Sequence, residues 1–216
     1  MIFINFKTYP QATNKNALIL ARNCQKAQNN ISIPLKLLAQ ASDIAQLKNV
    51  VSLPIWAQHI DSVDPGQASG FTTALAVKKV GAIGTMLNHS EHPLSFADLQ
   101  KAVKLSKEQN LKILICVKNL NEAKKVRSLN SDYIALENPN LIGTSISMVD
   151  SQKGQNELRE FVKLDIKFPL IGAGISSKQD VQKSIEIGAK GILVSSAIVK
   201  ADNPQKVIEE LALGFK

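Results

Sequence analysis

Apolar residues fall in eight short clusters along the 216-residue chain, and the stretches between clusters carry apolar positions three and four apart. The clusters are rich in Ile, Leu and Val and predict strands at 2–6, 35–39, 55–59, 83–87, 113–117, 133–137, 169–173 and 191–195. The three-and-four spacing predicts helices, among them 16–28, 96–109, 119–129, 158–164, 178–187 and 205–213. Ser177, with Asp180 three residues later, marks a helix start of capping-box character.

Strands that alternate with helices pair in parallel through crossover helices. Eight is the number that closes a (β/α)8 barrel, and the chain length suits the roughly 200–250 residues such barrels occupy. An open doubly wound sheet declares itself by a Gly-rich turn after the first strand. Here "KTYPQAT" follows that strand, with no glycine. No linker, low-complexity tract or shift of composition divides the chain. The expectation is an α/β (β/α)8 barrel forming a single domain over residues 1–216.

Composition narrows the class. A hydrophobic content of 44% can bury a sizeable core. The longest apolar runs fall short of the about 20 residues that cross a bilayer, and the N-terminus begins at once with strand-like "IFINF" rather than a leader. Cys24 and Cys116 have no metal or redox spacing, which fits buried thiols in a reducing compartment, the cytoplasm. The net charge is +8, yet the lysines lie scattered at helix-face spacing and only 5% of residues are aromatic. That argues against a nucleic-acid partner and for solvated faces, with long-range attraction of a small anion as the functional reading.

Barrels of this kind carry their sites at the C-terminal strand ends. The polar residues there are Asn5 and Lys7; Gln58, His59 and Asp61; Asn88, His89, Ser90 and Glu91; then Glu137; then "GAGIS" and "VSSA". Asn5 and Lys7 share a face, inward if Ile4 and Phe6 face the helices. An inward lysine must be neutralised or used, because a buried isolated ammonium is costly; alternatively Lys7 is a loop residue reaching water. His89 is expected at the strand end, with Ser90 and Glu91 opening a short helical turn whose N-terminus keeps the ring neutral. His59, Asp61, His89 and His92 lack the spacing of a metal set, so no metal is expected. Small residues at Gly172, Gly174, Ser195 and Ser196, with the loop at 142–145, suit a phosphate held by backbone N–H groups. Glu137 is either a strand simply ending in polarity or a base aimed into a pocket.

Together and in order, "INFKTY", "AQHID", "NHSE", "ALENPNLIGTS" and "GAGIS" resemble the triosephosphate isomerase family, in particular its short archaeal type, over essentially the whole chain. The resemblance implies the TIM barrel and metal-free, cofactor-free interconversion of dihydroxyacetone phosphate and glyceraldehyde 3-phosphate. By position, Glu137 would be the base and His89 the neutral electrophile. Asn5 and Lys7 would stabilise the enediolate, and Glu91 would partner Lys7. Ile142, Gly143, Gly174, Ser195 and Ser196 would bind the phosphate under a lid at 138–145. The loop at 65–72, with Ser69 at its tip, resembles the family's interdigitating loop and implies a homo-oligomer, a tetramer ahead of a dimer. Four positions depart from the family pattern: Asn138 for Pro, Ser145 for Gly, Ser195-Ser196 for Gly-Gly, and His92-Pro93 where an arginine follows the glutamate. Two other readings stand beside this one: a phosphate-binding barrel with impaired catalysis, and a phosphosugar epimerase, which needs metal ligands from several strands.

Overall fold

A computed structural model of the chain describes residues 1–142 and 146–216. The strands are β1 Ile2–Asn5, β2 Leu35–Ala39, β3 Ile55–Ala57, β4 Gly84–Leu87, β5 Lys112–Val117, β6 Tyr133–Leu136, β7 Pro169–Ile171 and β8 Gly191–Val194. Each is parallel to its neighbours, and β8 pairs with β1 to close an eight-stranded barrel. Around it run α1 Lys15–Asn30, α2 Ile44–Lys48, α3 Ala74–Lys79, α4 Phe96–Glu108, α5 Leu120–Val126, α6 Gln152–Val162, α7 Lys178–Ile187, α8 Ser196–Val199 and α9 Pro204–Ala212.

The period of two divides each strand between two cores. On β1 the residues Ile2 and Ile4, and Phe6 just beyond it, pack outward with the helices, while Phe3 joins an inner cluster. Every strand adds to that inner cluster: Leu38, Trp56, Met86, Leu114 with Cys116, Ala135, Leu170 and Leu193 complete it. Asn5, one pleat beyond Phe3, therefore faces the interior at the upper end.

Several strands stop short of the sequence expectation. The strands expected at 2–6, 55–59, 133–137, 169–173 and 191–195 end at Asn5, Ala57, Leu136, Ile171 and Val194. Backbone pairing nonetheless carries on for one more rung: Phe6, Gln58, Glu137 and Gly172 donate N–H to Leu38, Ala39, Val117 and Leu136 at 2.9, 3.1, 2.9 and 3.1 Å. Only then does the chain turn, so the polar residues sit at the last rung, where the barrel still fixes their position. Helix α6 begins six residues before the expected 158 because Ser151 caps it, its hydroxyl accepting from Gly154 N–H at 3.1 Å. The short helices α2, α3 and α8 complete the alternation of strand and helix. No helix of the described residues is long and apolar enough to cross a membrane.

Candidate active site

Two cavities of about 220 and 440 Å3 open at the C-terminal end of the barrel, and Asn5 and Lys7 line both. The smaller also meets Glu137, Ile142, Gly174, Ser195 and Ser196; the larger meets Gln58, His59, His89, Glu91 and His92. The structure thus gathers residues from both ends of the chain. Ser69 lies apart, exposed on a loop that Asp61 closes, with Thr72 N–H donating to its carboxylate at 2.6 Å. Gly143 and Ser145 lie outside the described residues.

Glu137 is buried, and its Oε2 stands 3.4 Å from His89 Nε2. Loss of water pushes its carboxyl above the ordinary value, with His89 and Lys7 pulling the other way. Room for this side chain comes from Gly172, where a Cβ would lie 2.6 Å from Glu137 Oε1. Cys116, buried beneath, has its thiol pushed well above the usual range by burial and by the adjacent Glu137 carboxylate, which keeps it an uncharged neighbour.

Buried His89 sits on a turn, not at a helix start: His92 N–H bonds back to His89 O at 2.8 Å, and the next helix, α4, begins only at Phe96. The expected helical turn at Ser90 and Glu91 is present only as this single i to i+3 turn, because Pro93 follows too closely for a helix to propagate through it. Glu91 N–H donates to His89 Nδ1 at 3.2 Å, so that nitrogen is an acceptor and the ring proton belongs on Nε2, toward Glu137.

Lys7 is a loop residue in the left-handed region, at φ 48°, yet it does not reach open water. Its side chain is 11% exposed, and Nζ donates to Glu91 Oε1 at 2.6 Å. A lysine holds such a backbone only where the surroundings determine it. Here Lys7 N–H donates to Asn5 Oδ1 at 3.0 Å and Gln58 Nε2 donates to Lys7 O at 3.0 Å. Gln58 also donates to Asn5 Oδ1 at 3.3 Å, so the Asn5 oxygen is occupied and its Nδ2 is the atom left to donate into the cavity. Sequence reasoning placed Gln58 at a strand end and gave it no task. No local signal marks that task, since its partner Asn5 lies 53 residues away.

At the other wall, Gly174 lies at φ 77° and packs so closely on Ile146 that a Cβ would overlap the Ile146 carbonyl oxygen. The capping box of α7 appears as its spacing predicts, and Asp180 reaches further, accepting from both Ser176 and Ser177 N–H at 2.9 Å. It pins the turn after β7 from behind. Glu137 Oε2 and Ser195 Oγ are buried and have no hydrogen-bond partner among the described residues. His59 stacks on His92 with centroids 3.9 Å apart at the outer rim. Among the described residues, no group of three or more His, Cys, Asp or Glu side chains could hold a metal.

The family model described as "Triosephosphate isomerase" matches residues 1–211. A curated "Triosephosphate isomerase" of Methanocaldococcus jannaschii is 35% identical over 215 residues, covering 98% of each chain. One from Methanosarcina acetivorans is 34% identical over 213 residues, covering 97% of this chain and 96% of its own. The crystal structure of triosephosphate isomerase from Bartonella henselae superposes with a TM-score of 0.68 at 15% identity, covering 95% of this chain and 96% of that one, a likeness of fold. Matched along nearly all its length by the family model and by archaeal relatives of that name, the chain belongs to the triosephosphate isomerase family.

Proposed function

We propose that residues 1–216 act as one catalytic domain interconverting dihydroxyacetone phosphate and D-glyceraldehyde 3-phosphate, with Glu137 as the base. The observation that carries this reading is the Glu137–His89 pair, 3.4 Å apart, with Glu137 on one cavity, His89 on the other, and Asn5 and Lys7 lining both. Backbone N–H groups at Gly143, Gly174, Ser195 and Ser196, with Ile142 alongside, grip the phosphate and set the carbon chain against Glu137. Ser195 Oγ, buried and unpartnered among the described residues, gains a phosphate oxygen as its partner.

Glu137 removes a proton from the carbon beside the carbonyl and returns it to the neighbouring carbon. His89 donates from Nε2 to the oxygen on which charge develops, and Asn5 Nδ2 and Lys7 Nζ stabilise the same enediolate. Pairing a glutamate base with a neutral histidine is this family's own known pattern. Lys7 is neutralised by Glu91 until substrate arrives, which answers the cost of an inward ammonium. The exposed loop bearing Ser69, with Phe71 52% exposed beside it, supports docking into a second copy and so a homo-oligomer. Two buried free thiols, Cys24 and Cys116, support a cytoplasmic setting.

A coupled assay of the purified protein on glyceraldehyde 3-phosphate, with chelator present, tests the reading. Glu137→Gln is expected to lower turnover by about 10²–10⁴-fold, the scale of a positioned general base. Near-parental turnover in that variant removes Glu137 from its role.

A further inference from the structure

Asn88 stands between the last residue of β4 and His89, in the left-handed region at φ 60°, and is buried. Asparagine tolerates that backbone better than most residues, but tolerance alone does not explain its side chain. Every polar atom of the amide is engaged. Nδ2 donates to Cys116 O on β5 at 2.9 Å and to Glu122 Oε1 at 3.1 Å, and Oδ1 accepts from Leu94 N–H at 2.9 Å. Glu122 is fixed in turn at the start of α5: its Oε2 accepts from Lys118 N–H at 2.8 Å, and its own N–H donates to Asn119 Oδ1 at 2.9 Å.

These bonds tie the 88–94 turn, which carries His89 and Glu91, to the strand on its other side. They also reach the base. Cys116 supplies the carbonyl that Asn88 grips, and its side chain lies against Glu137. Asn88, Glu122 and Glu137 line one small cavity behind the carboxylate, about 40 Å3 in volume. One amide is thus a single residue away from His89 along the chain and a single side chain away from Glu137 in space.

We propose that Asn88 and Glu122 are positioning residues for the isomerisation, the Asn88 amide holding the His89 ring against Glu137 and Glu122 holding the amide. The inference rests on His89 and Glu137 being the reacting pair. Charge adds to the grip, because an amide donating to a carboxylate is stronger than one donating to a neutral group. The cavity at Asn88 and the one lined by Gly174, Ser195 and Ser196 share Glu137 alone, so loosening the network is expected to affect chemistry more than phosphate binding.

Asn88→Gly keeps the left-handed backbone and deletes the amide. Its kcat is expected to fall about ten- to a hundredfold, the scale of a small misplacement of reacting groups, with the KM for glyceraldehyde 3-phosphate and inhibition by inorganic phosphate unchanged. The 15N shifts of the His89 ring, held as the Nε2–H tautomer in the parent, should move toward tautomer averaging. An unchanged kcat, or kcat and KM worsening together while the His89 signature stays fixed, overturns the proposal. If Asn88→Gly does not fold, Glu122→Ala on a half-buried side chain carries the test: a lower kcat at constant KM supports it, and parental kcat sinks it. Glu137→Gln run in parallel separates the two levels. Turnover lost there but kept in Asn88→Gly defeats the positioning role alone; turnover kept in Glu137→Gln defeats the pair on which it rests.

Discussion

The two ends of the barrel interior are built on the same alternation and filled in opposite ways. At the N-terminal end Phe3, Trp56 and Tyr133 meet edge to face, with centroids 5.1 to 5.7 Å apart, and Phe168 stacks on Tyr133 at 5.3 Å. Lys36 lays its ammonium over the Phe3 and Tyr133 rings at 5.5 and 5.9 Å. Gly84 leaves space for the indole, since a Cβ there would lie 2.5 Å from Trp56. At the C-terminal end the inward residues are Asn5 and Glu137, and the space above them is left as cavity. The floor gains dispersion and apolar burial and holds the strands in register. The top sacrifices both for an undersolvated carboxylate. A base raised by burial needs a rigid dry support, and the floor provides one.

Three substitutions test that division. Trp56→Ala should remove about 3–5 kcal/mol of stability, as large-to-small changes in a core do, while turnover per folded molecule stays close to parental. Chemical denaturation and a titrated assay check both; a proportionate loss of activity would show that floor and site are not separable. Gly172→Ala acts the other way. Its Cβ meets Glu137 Oε1 first, at 2.6 Å, and also the Leu193 carbonyl oxygen at 3.0 Å, so turnover should fall about a hundredfold and stability by less than in Trp56→Ala. A stable, fully active Gly172→Ala would mean the carboxylate has slack.

The smallest effect is the most diagnostic. Because the Glu137 carboxyl is raised in the folded protein, the folded state holds that proton more tightly than the unfolded chain. Its stability contribution is then most favourable below the ordinary carboxyl range and declines as pH rises through the folded value. Glu137→Gln should therefore melt at a higher temperature than the parent at neutral pH, the gap closing on acidification. The same titration should shift the acid limb of activity upward from the ordinary carboxyl value. A variant melting lower at neutral pH would show the carboxylate to be stabilising, and the top of the barrel would need another description.

Much of this was legible in the chain, for reasons the residues make plain. Strand alternation is a period-two signal, and it set Asn5 on the face opposite Ile4 and Phe6; the two cores show that face to be the inner one. The Ser177–Asp180 cap was readable because its partners are three residues apart. Gln58, Gly172 and Asn88 were not, because their partners lie 53, 35 and 28 residues away: Gln58 serves Asn5, Gly172 shelters Glu137, and Asn88 grips Cys116. No local pattern encodes such pairs. His89 shows the same limit, since it was expected to stand before a helical turn and sits on a tight turn, its Nδ1 accepting from the Glu91 N–H.

Barrel closure has a consequence for how activity arises during synthesis. Ile2 is paired on one side with Leu35 and on the other with Ile192, so the first strand waits for the last before it has both neighbours. Asn5 and Lys7 leave the ribosome early, and Ser195 and Ser196 near the end. Contacts of such long sequence separation slow folding, because the loop must close before they reward it. A nascent chain stalled before β8 holds the base, the histidine and the lysine and still lacks the cavity wall that Ser195 and Ser196 form.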